Sequence, residues 1–288
     1  MTYMSGLKYK IKKTQKKIYF FRIRISSKFF SLFGYITLIG FWGIGDCCYE
    51  LAYIDDFKKQ VNKKIRVVAY KNKAAIFEFY KSIDKVSLTS KKAALYYAEY
   101  GKLCANNQKH LIYIAHMGYS GKFPDKMKAA YGLEHVDKLT FPVVNEVKTN
   151  VIINSIIVNA KSNWYSSSKI ERFMVELIKC AQNKGLHIYV NSPLPDNLKS
   201  KNNVEEVFWD LEYFYNAAKQ VKAVISIRTG LLDFIINSNA NVFCLYDKTE
   251  NGNWLFEVFN LDTWNCRDAR IFQYFVEDII PEDIIDML

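Results

Sequence analysis

Apolar runs of strand length alternate with helix-like segments along nearly all of the chain after residue 34. The first run, Tyr35–Trp42 (YITLIGFW), and the last, Val242–Tyr246 (VFCLY), have few interior polar residues. Strands that are apolar on both faces are typical of parallel sheets covered by helices on both sides. The pattern therefore predicts an α/β fold. It divides near residues 142–150 into two series, which predict two Rossmann-like domains facing each other across a cleft.

The predicted elements follow from the spacing of apolar residues. The predicted strands are Tyr35–Trp42, Ile65–Tyr70, His110–Ala115, Val151–Val158, Leu186–Val190, Ala223–Ile227 and Val242–Tyr246. The predicted helices are Asp46–Gln60, Ala74–Lys81, Lys92–Cys104, Asp125–Tyr131, Lys169–Lys184, Val204–Ala218, Leu231–Asn237, Asp268–Val276 and Glu282–Leu288. The chain of 288 residues is long enough for two domains of modest size. We expect a basic amphipathic segment at 1–33, a first domain at 34–146 and a second domain with terminal helices at 147–288.

The positive charge is concentrated at the start of the chain. Residues 1–31 contain nine Lys and Arg and no Asp or Glu, out of a formal net charge of +11. The remainder carries only about +2. The body of the protein therefore lacks the broad basic surface of a nucleic-acid-binding protein, and we expect no nucleic-acid partner.

The basic segment predicts an amphipathic helix. At 100° per residue, one arc of about 80° holds the apolar residues Ile11, Ile18, Phe21, Ile25, Phe29 and Leu32. One flank of this arc is predicted to hold Lys10, Lys13, Lys17, Arg24 and Lys28, and the other Lys12, Lys16 and Arg22. An apolar strip bordered by cations is typical of a helix in an anionic lipid headgroup layer. The alternative is a helix packed on the protein body with a solvated basic face.

No metal or cofactor motif is visible in the sequence. The six cysteines form no CxxC pair, and the four histidines are scattered. We expect reduced cysteines in a cytoplasmic protein, no metal ion and no cofactor. GxxxxGK[ST], GxSxG, HExxH and Asp-x-Asp are all absent. Their absence argues against a P-loop NTPase and a metal-dependent sugar transferase of the single-domain type.

The first candidate loop follows the first strand. Gly43 and Gly45 permit a tight turn and close approach of a ligand, and Asp46 falls near the start of the next helix. The third glycine of the dinucleotide fingerprint is missing. A purely structural turn in which Asp46 caps the helix is an equal alternative.

Two more candidate loops follow strands of the second series. Lys161 lies in a loop where it could meet a phosphate, or it could be an ordinary solvated lysine. Arg228-Thr229-Gly230 ends a buried strand and begins a helix, whose first amides attract anions. Arg228 adds a fork of donors suited to phosphate oxygens. The alternative is an ordinary strand-to-helix turn in which Arg228 pairs with Asp233.

These motifs resemble the inverting GT-B glycosyltransferases. "GIGD" before a helix resembles the start of heptosyltransferase-like members, and the second series is similar to capsular and cell-surface polysaccharide glycosyltransferases of bacteria. The resemblance there is carried by an "AKS"-like loop, "KG" before a strand ending in Asn, and "RTG" followed by Asp. Thr229 replaces the commoner Ser and keeps its hydroxyl. Asp233 stands where heptosyltransferases have His, which favours the capsular group over a heptose donor.

The resemblance implies a nucleotide-diphosphate sugar held by the second domain and an acceptor held by the first. The diphosphate would meet Thr229 and Gly230 amides, Arg228 and Lys161, with Asp233 beside them. The nucleoside would lie near Asn191–Ser192 and the loop after Tyr246. Asp46 would be the base that takes the acceptor proton, with Glu50 as second choice. Without a metal, the helix dipole and Arg228 would stabilise the leaving diphosphate.

The expected function is sugar transfer to a glycan acceptor, carried on a polyprenyl lipid, in surface polysaccharide synthesis. The protein would then act in the cytoplasm, peripherally at the inner face of the cell membrane. One alternative is a polyol-phosphate transferase of teichoic-acid type, which would share the fold, the basic surface and the phosphate site. Another is a non-catalytic protein of the same fold that serves as a partner in a membrane assembly.

Overall fold

The structure is a computed structural model of the whole chain. It describes residues 2–41, 43–100, 109–115, 123, 125–136, 138–160, 162, 165, 167–191, 203–264 and 268–288. The side chains of residues 2–13, 98–100 and 125 are outside this description. The chain divides into two compact units, unit 1 (Met1–Val143) and unit 2 (Val144–Leu288). The sequence analysis places this boundary between residues 146 and 147.

Unit 1 is built on a parallel sheet. Its described strands are β1 (Tyr35–Ile39), β2 (Lys64–Tyr70), β3 (Lys85–Thr89) and β4 (Leu111–Tyr113). They lie in the order β3-β2-β1-β4, and Leu38 of β1 pairs with Val67 on one side and Ile112 on the other. The helices are α1 (Thr2–Ser31), α2 (Ile44–Glu50), α3 (Ile54–Val61), α4 (Lys91–Tyr100) and α5 (Asp125–Tyr131), with a 3₁₀ helix at Lys71–Phe79.

Unit 2 contains a second parallel sheet. Its described strands are β5 (Ser155–Asn159), β6 (His187–Val190), β7 (Val204–Glu206), β8 (Ala223–Ile227), β9 (Asn241–Tyr246) and β10 (Arg270–Phe275). They lie in the order β10-β9-β8-β5-β6-β7. The helices are α6 (Ser168–Asn183), α7 (Leu211–Ala218), α8 (Gly230–Phe234), α9 (Glu250–Phe259) and α10 (Pro281–Asp286), with a 3₁₀ turn at Leu261–Thr263.

The core of unit 2 explains why its strands are so apolar. Ile156, Ile188 and Ile225, from three neighbouring strands, are fully buried with Leu177 of α6 and Ile284 of α10. All five residues of β8 are buried, including Ser226. This burial is why the strands are apolar at successive positions. The α/β fold of parallel strands and helices in both units confirms the fold class predicted from the sequence.

Of two helices expected from the sequence, Val204–Ala218 is correct only from Leu211 onward, and Asp268–Val276 is wrong. Residues 204–218 contain the edge strand β7 and then α7, which begins where Asp210 accepts a 2.8 Å hydrogen bond from the amide of Tyr213. Residues 268–276 contain the edge strand β10 (Arg270–Phe275), which pairs with β9 along its whole length. Tertiary pairing with an existing strand overrides the weak helical spacing in both places. The structure also contains β3, which the sequence analysis missed because it is short and half polar.

Helix α1 has two apolar faces. The inner face (Tyr19, Phe20, Ile23, Ser27 and Phe30) packs on unit 1, where Ile23 is 4% exposed and joins a core cluster with β1, β2 and β4. The outer strip (Ile18, Phe21, Ile25, Phe29 and Leu32) is 46–78% exposed. Apart from Ile11, whose side chain lies outside the description, the arc identified from the sequence is therefore the exposed one, and a different set of residues holds the helix on the body.

Candidate functional site

The sheet order of unit 2 creates a switch point. From β5, the strands β6 and β7 extend to one side and β8, β9 and β10 to the other. In an open parallel sheet, ligands bind beyond the carboxyl ends of the strands where the order reverses. This edge lies between Asn159, the last residue of β5, and its partner Ser226 near the end of β8.

Buried polar side chains occupy that switch point. Asn159 is 4% exposed and Ser226 is 1% exposed. The Asn159 Nδ2 donates hydrogen bonds of 3.0 Å to Ser226 Oγ and 3.5 Å to Thr229 Oγ1. Ser226 Oγ in turn donates to the carbonyl of Ile227 at 2.7 Å. Asparagine at the end of β5 thus ties that strand to the loop that begins α8.

Thr229 is the N-cap residue of α8 and has extended backbone angles. Its side chain does not cap the helix, and its carbonyl accepts from the amide of Leu232 at 3.1 Å. Thr229 and Gly230 are both half-exposed. The Leu232 amide is thus engaged, whereas amides at the very start of a helix have no acceptor within it, so this loop can offer N–H groups to an anion.

The structure changes the role predicted for Arg228. Its side chain is 5% exposed, and its guanidinium donates two hydrogen bonds to the Asp233 carboxylate, at 2.9 Å and 2.7 Å. Further bonds go to the carbonyls of Phe259 (2.6 Å) and Thr229 (2.8 Å). Trp264 Nε1 donates to the same carboxylate at 3.1 Å. The Arg228–Asp233 pair, which the sequence offered as the alternative, is therefore present. Arg228 stabilises the loop that begins α8, and its guanidinium donors are engaged within the protein instead of being directed at a phosphate.

A second polar cluster lies at the end of β9, next to β8. The fully buried Asp247 accepts hydrogen bonds from Tyr165 Oη and Thr249 Oγ1, both at 2.5 Å. Burial alone would raise the pKa of Asp247, but hydrogen bonds from Ser167, Thr249 and Tyr165 hold that pKa below its usual value. Burial and the carboxylate raise the pKa of Tyr165. A Cβ on Gly252 would lie 2.7 Å from Tyr165 Oη and against Asp247, so glycine is required there.

Three predicted residues of unit 2 remain: Asn191, Lys161 and Ser192. Asn191 follows β6 at the same sheet edge, is half-exposed, and donates its amide to the carbonyl of Val158 at 2.9 Å. Lys161 and Ser192 lie outside the described residues. Tyr165 is not among the residues predicted from the sequence, and Asp247 and Thr249 are included there only as part of the loop after Tyr246. In the sequence these residues are visible only as polar residues that come after buried strands. Their contacts in the folded chain distinguish them from other loop residues.

Unit 1 has its own switch point, between β1 and β4. Gly40 follows β1 with a φ of +115°, and a Cβ there would lie 2.8 Å from the amide nitrogen of Ala115. The chain after β4 therefore crosses close to the backbone at the end of β1, which only glycine permits. The loop with Gly43, Gly45 and Asp46 begins just beyond this crossing.

Asp46 is half-exposed and turned back toward the start of α2. Its Oδ2 accepts a 2.8 Å hydrogen bond from the amide of Gly43, the N-cap residue. Asp46 therefore contributes to capping, but from the third helical position, because the N-cap residue is Gly43 and not Asp46 as the sequence alternative had it. A Cβ on Gly43 would lie 2.7 Å from that same oxygen, so the glycine makes room for the carboxylate. Capping engages one carboxylate oxygen and does not prevent Asp46 from facing solvent.

Glu50 is fully buried, as are the neighbouring Cys47 and Cys48. Burial, followed by the charge of Glu50, raises the pKa of the Cys47 thiol well above its usual value. Tyr131 Oη donates to the main-chain carbonyl of Glu50 at 2.5 Å. A carboxylate enclosed in this way is poorly placed to take a proton from an acceptor molecule, so Asp46 is the better candidate base.

Within the described ranges, no group of three His, Cys, Asp or Glu side chains is close enough to hold a metal ion. No helix among those residues is long and apolar enough to cross a bilayer.

Comparison with known proteins finds similarity in structure and not in sequence. No protein-family model matches the chain, and no curated protein has a detectably similar sequence. The E. coli heptosyltransferase WaaC, solved with ADP, superposes with a TM-score of 0.55 at 11% identity, covering 88% of this chain and 96% of that one. A family 9 glycosyltransferase from Veillonella parvula gives 0.59 at 12% identity, covering 88% and 95%.

The E. coli ADP-heptose lipopolysaccharide heptosyltransferase II gives a TM-score of 0.61 at 12% identity, covering 87% of this chain and 96% of that chain. All three are glycosyltransferases, and nearly the full length of each is covered. At these identities the similarity establishes a shared GT-B fold.

Proposed function

We propose that the protein is a glycosyltransferase that moves a sugar from a nucleotide-diphosphate sugar to a hydroxyl of a glycan acceptor. The observation that carries the proposal is the buried polar edge at the β5–β8 switch point, where Asn159 is hydrogen-bonded to Ser226 and Thr229. The GT-B fold shared with sugar-nucleotide enzymes supports the same conclusion as an argument by analogy.

Unit 2 is proposed to bind the donor. The diphosphate would be held by the Thr229 and Gly230 amides and the Thr229 hydroxyl, with Lys161 as an additional cation. Arg228 and Asp233 would contribute indirectly, because their ion pair fixes the conformation of this loop. The nucleoside would lie near Asn191, Ser192 and the loop after Tyr246, beside the Tyr165–Asp247–Thr249 cluster.

Unit 1 is proposed to supply the base. Asp46 would accept the proton of the acceptor hydroxyl while that oxygen attacks the anomeric carbon of the sugar, and the nucleoside diphosphate would leave with the bonding electrons. Attack from the face opposite the leaving group would invert the anomeric configuration. The partial positive charge at the start of α8 would stabilise the diphosphate, and no metal ion is assigned a role.

We further propose that the acceptor is lipid-linked and belongs to surface polysaccharide synthesis, and that the protein works peripherally at the inner face of the cell membrane. The exposed outer strip and the cations of α1 support this proposal, because a lipid-linked acceptor is met at a bilayer surface.

Binding of the donor can be tested with a panel of ligands. The purified chain is titrated by calorimetry with UDP, GDP, dTDP, ADP and CDP, the corresponding sugars and CDP-glycerol. Thr229→Glu places a carboxylate beside the proposed diphosphate and should weaken the best ligand at least about tenfold. Gln220→Glu adds the same charge at an exposed position in the turn that precedes β8, away from Thr229, and should leave affinity unchanged.

The panel also separates the alternatives. Preference for CDP-glycerol would replace sugar transfer with polyol-phosphate transfer. Binding of no member of the panel would favour a non-catalytic partner protein. Equal affinities of Thr229→Glu and the unaltered protein would remove the diphosphate from this loop.

A further inference from the structure

The outer strip of α1 is a contiguous apolar surface on a helix that is already fixed to the protein. The exposed fractions are 46% for Ile18, 63% for Phe21, 54% for Ile25 and 56% for Phe29, and Leu32 just beyond the helix reaches 78%. These side chains share one arc of about 80°. A row of large apolar side chains on one surface marks an interaction site more often than isolated exposed residues do.

The inner face shows that this exposure does not come from a detached helix. Phe20 lies 6.2 Å from Tyr97 and Tyr19 lies 5.8 Å from Tyr96, measured between ring centroids. At the end of the helix, the Phe30 ring contacts Tyr35 and lies 4.0 Å below the guanidinium of Arg66. Contacts along the helix from residue 19 to residue 30 therefore fix its rotation, and the outer strip is presented as a rigid surface.

Cations border the outer strip on both sides. Lys17 and Lys28 follow it within about 40° on one side, and Arg22 follows within about 20° on the other. All three are exposed. Lys16 does not belong to this border: it lies on the packed side, with its Nζ 5.6 Å from the centre of the Tyr96 ring. The flank assignment made from the sequence is thus corrected for Lys16.

An apolar strip bordered by cations favours one kind of binding partner over the others. A second copy of the same surface would bring cations against cations, because residues 1–31 contain no acidic side chain. A nucleic acid would match the cations but leave the apolar row without a partner. An anionic bilayer matches both, because acyl chains take up the apolar side chains and lipid phosphates meet the border of Lys and Arg.

We propose that the outer strip of α1 docks unit 1 on an anionic lipid bilayer, with the helix axis parallel to the membrane. Phe21 and Ile25 enter the acyl boundary, and Lys17, Arg22 and Lys28 contact headgroup phosphates. The inference deepens the peripheral membrane location of the proposed function by naming the side chains that enter the bilayer and those that meet lipid phosphates. It stands independently of sugar transfer, since no donor or acceptor enters it.

The test is flotation of the full-length protein with vesicles of phosphatidylcholine, either alone or with about 30 mole per cent of phosphatidylglycerol. Phe21→Gln/Ile25→Gln should reduce binding to anionic vesicles by about tenfold or more. The matched control is Phe208→Gln/Ile153→Gln, which removes one Phe and one Ile that are 71% and 78% exposed in unit 2. This control should bind like the unaltered protein.

A second pair of variants tests the charges. Lys17→Gln/Lys28→Gln should weaken anionic-vesicle binding by about tenfold or more at low salt and by less at high salt. Lys148→Gln/Lys179→Gln removes the same charge from exposed positions in unit 2 and should have little effect. Thermal unfolding of every variant shows that the fold is retained, since none of the altered side chains is buried.

Three results would overturn the proposal. Phe21→Gln/Ile25→Gln could bind as well as the unaltered protein, or neutral vesicles could bind as well as anionic ones. Alternatively, vesicles could fail to bind while sedimentation shows an oligomer that this variant dissociates, which would make the outer strip an interface between copies. None of these results would bear on donor binding, which the ligand panel measures separately.

Discussion

Arg228 and Asp233 form a two-point ion pair inside unit 2, with Nη1 2.9 Å from one carboxylate oxygen and Nη2 2.7 Å from the other. The side chains are 5% and 1% exposed. The pair joins the end of β8 to α8, while the Arg228 Nε reaches the last residue of α9. The loop that begins α8 is therefore held in one conformation by buried charges, although the sequence suggested an arginine free to bind phosphate.

Arg228→Gln should destabilise the protein by about 3–5 kcal/mol, because it leaves the Asp233 carboxylate buried without its cation. Chemical denaturation at pH 7 measures the change. The control is Lys184→Gln, which breaks an ion pair whose two side chains are both 63% exposed and should change stability by less than about 1 kcal/mol. Arg228→Gln/Asp233→Asn should recover part of the loss. A single variant as stable as the unaltered protein would contradict the structural role of the pair.

Asp46→Asn should lower the turnover rate about 10²-fold to 10⁴-fold while leaving the donor dissociation constant nearly unchanged, because only proton transfer is lost. The amide oxygen of Asn can still accept from the Gly43 amide, so α2 should remain capped. Single-turnover transfer and calorimetry separate the two effects.

Glu50→Gln is the comparison for this experiment, because Glu50 is the other carboxylate considered from the sequence. Its burial predicts that turnover per folded molecule persists in Glu50→Gln. If Asp46→Asn kept full activity and folded Glu50→Gln lost it, the assignment of the base would be reversed.

Tyr165→Phe should destabilise unit 2 by about 1.5–3 kcal/mol at pH 7, because it removes a hydrogen bond to the charged Asp247. The pKa of Asp247 is held below its usual value, so this carboxylate contributes stability above the ordinary pKa near about 4. The contribution is lost as the pH falls through the lowered pKa of the folded state. The cost of Tyr165→Phe should therefore shrink toward pH 3, about one unit below the ordinary Asp value.

Tyr215→Phe provides the control for pH dependence. Its hydroxyl donates to the carbonyl of Asn237 at 3.0 Å, which is a neutral hydrogen bond. Its loss should cost about 1 kcal/mol and change little between neutral and acid conditions. A pH-independent cost for Tyr165→Phe would indicate that Asp247 is not the group that responds.

Ile23→Ala should destabilise unit 1 by about 2–4 kcal/mol, because Ile23 is 4% exposed within the core cluster that holds α1 on the sheet. Ile25→Ala, two residues along the same helix, removes the same atoms from a side chain that is 54% exposed and should change stability by less than about 0.5 kcal/mol. Thermal or denaturant unfolding distinguishes the two. Equal effects would mean that the two faces of α1 are assigned incorrectly.

The fold class and the positions of most central strands are predictable from the pattern of apolar residues alone. Residues 223–227 and 242–246 are apolar because both faces of those strands are covered, and that requirement is readable from the chain alone. The sequence pattern predicts helices where the edge strands β7 and β10 lie. A half-exposed strand has only a weak alternation of apolar and polar residues, and its conformation depends on pairing with the neighbouring strand. The loops that could carry chemistry were also identified, since they follow strands.

The contacts that the residues of those loops make depend on long-range packing. The strand order places Asn159 beside Ser226, 67 positions away in the chain, and no local pattern encodes that proximity. Arg228 could face a ligand or Asp233, and burial of both side chains selected the ion pair. Helix α1 shows the same limit: its composition revealed an apolar arc bordered by cations, but packing of Ile23 on the sheet determined which side faces outward. Long-range contacts fix such choices because they depend on elements that the chain brings together only after folding.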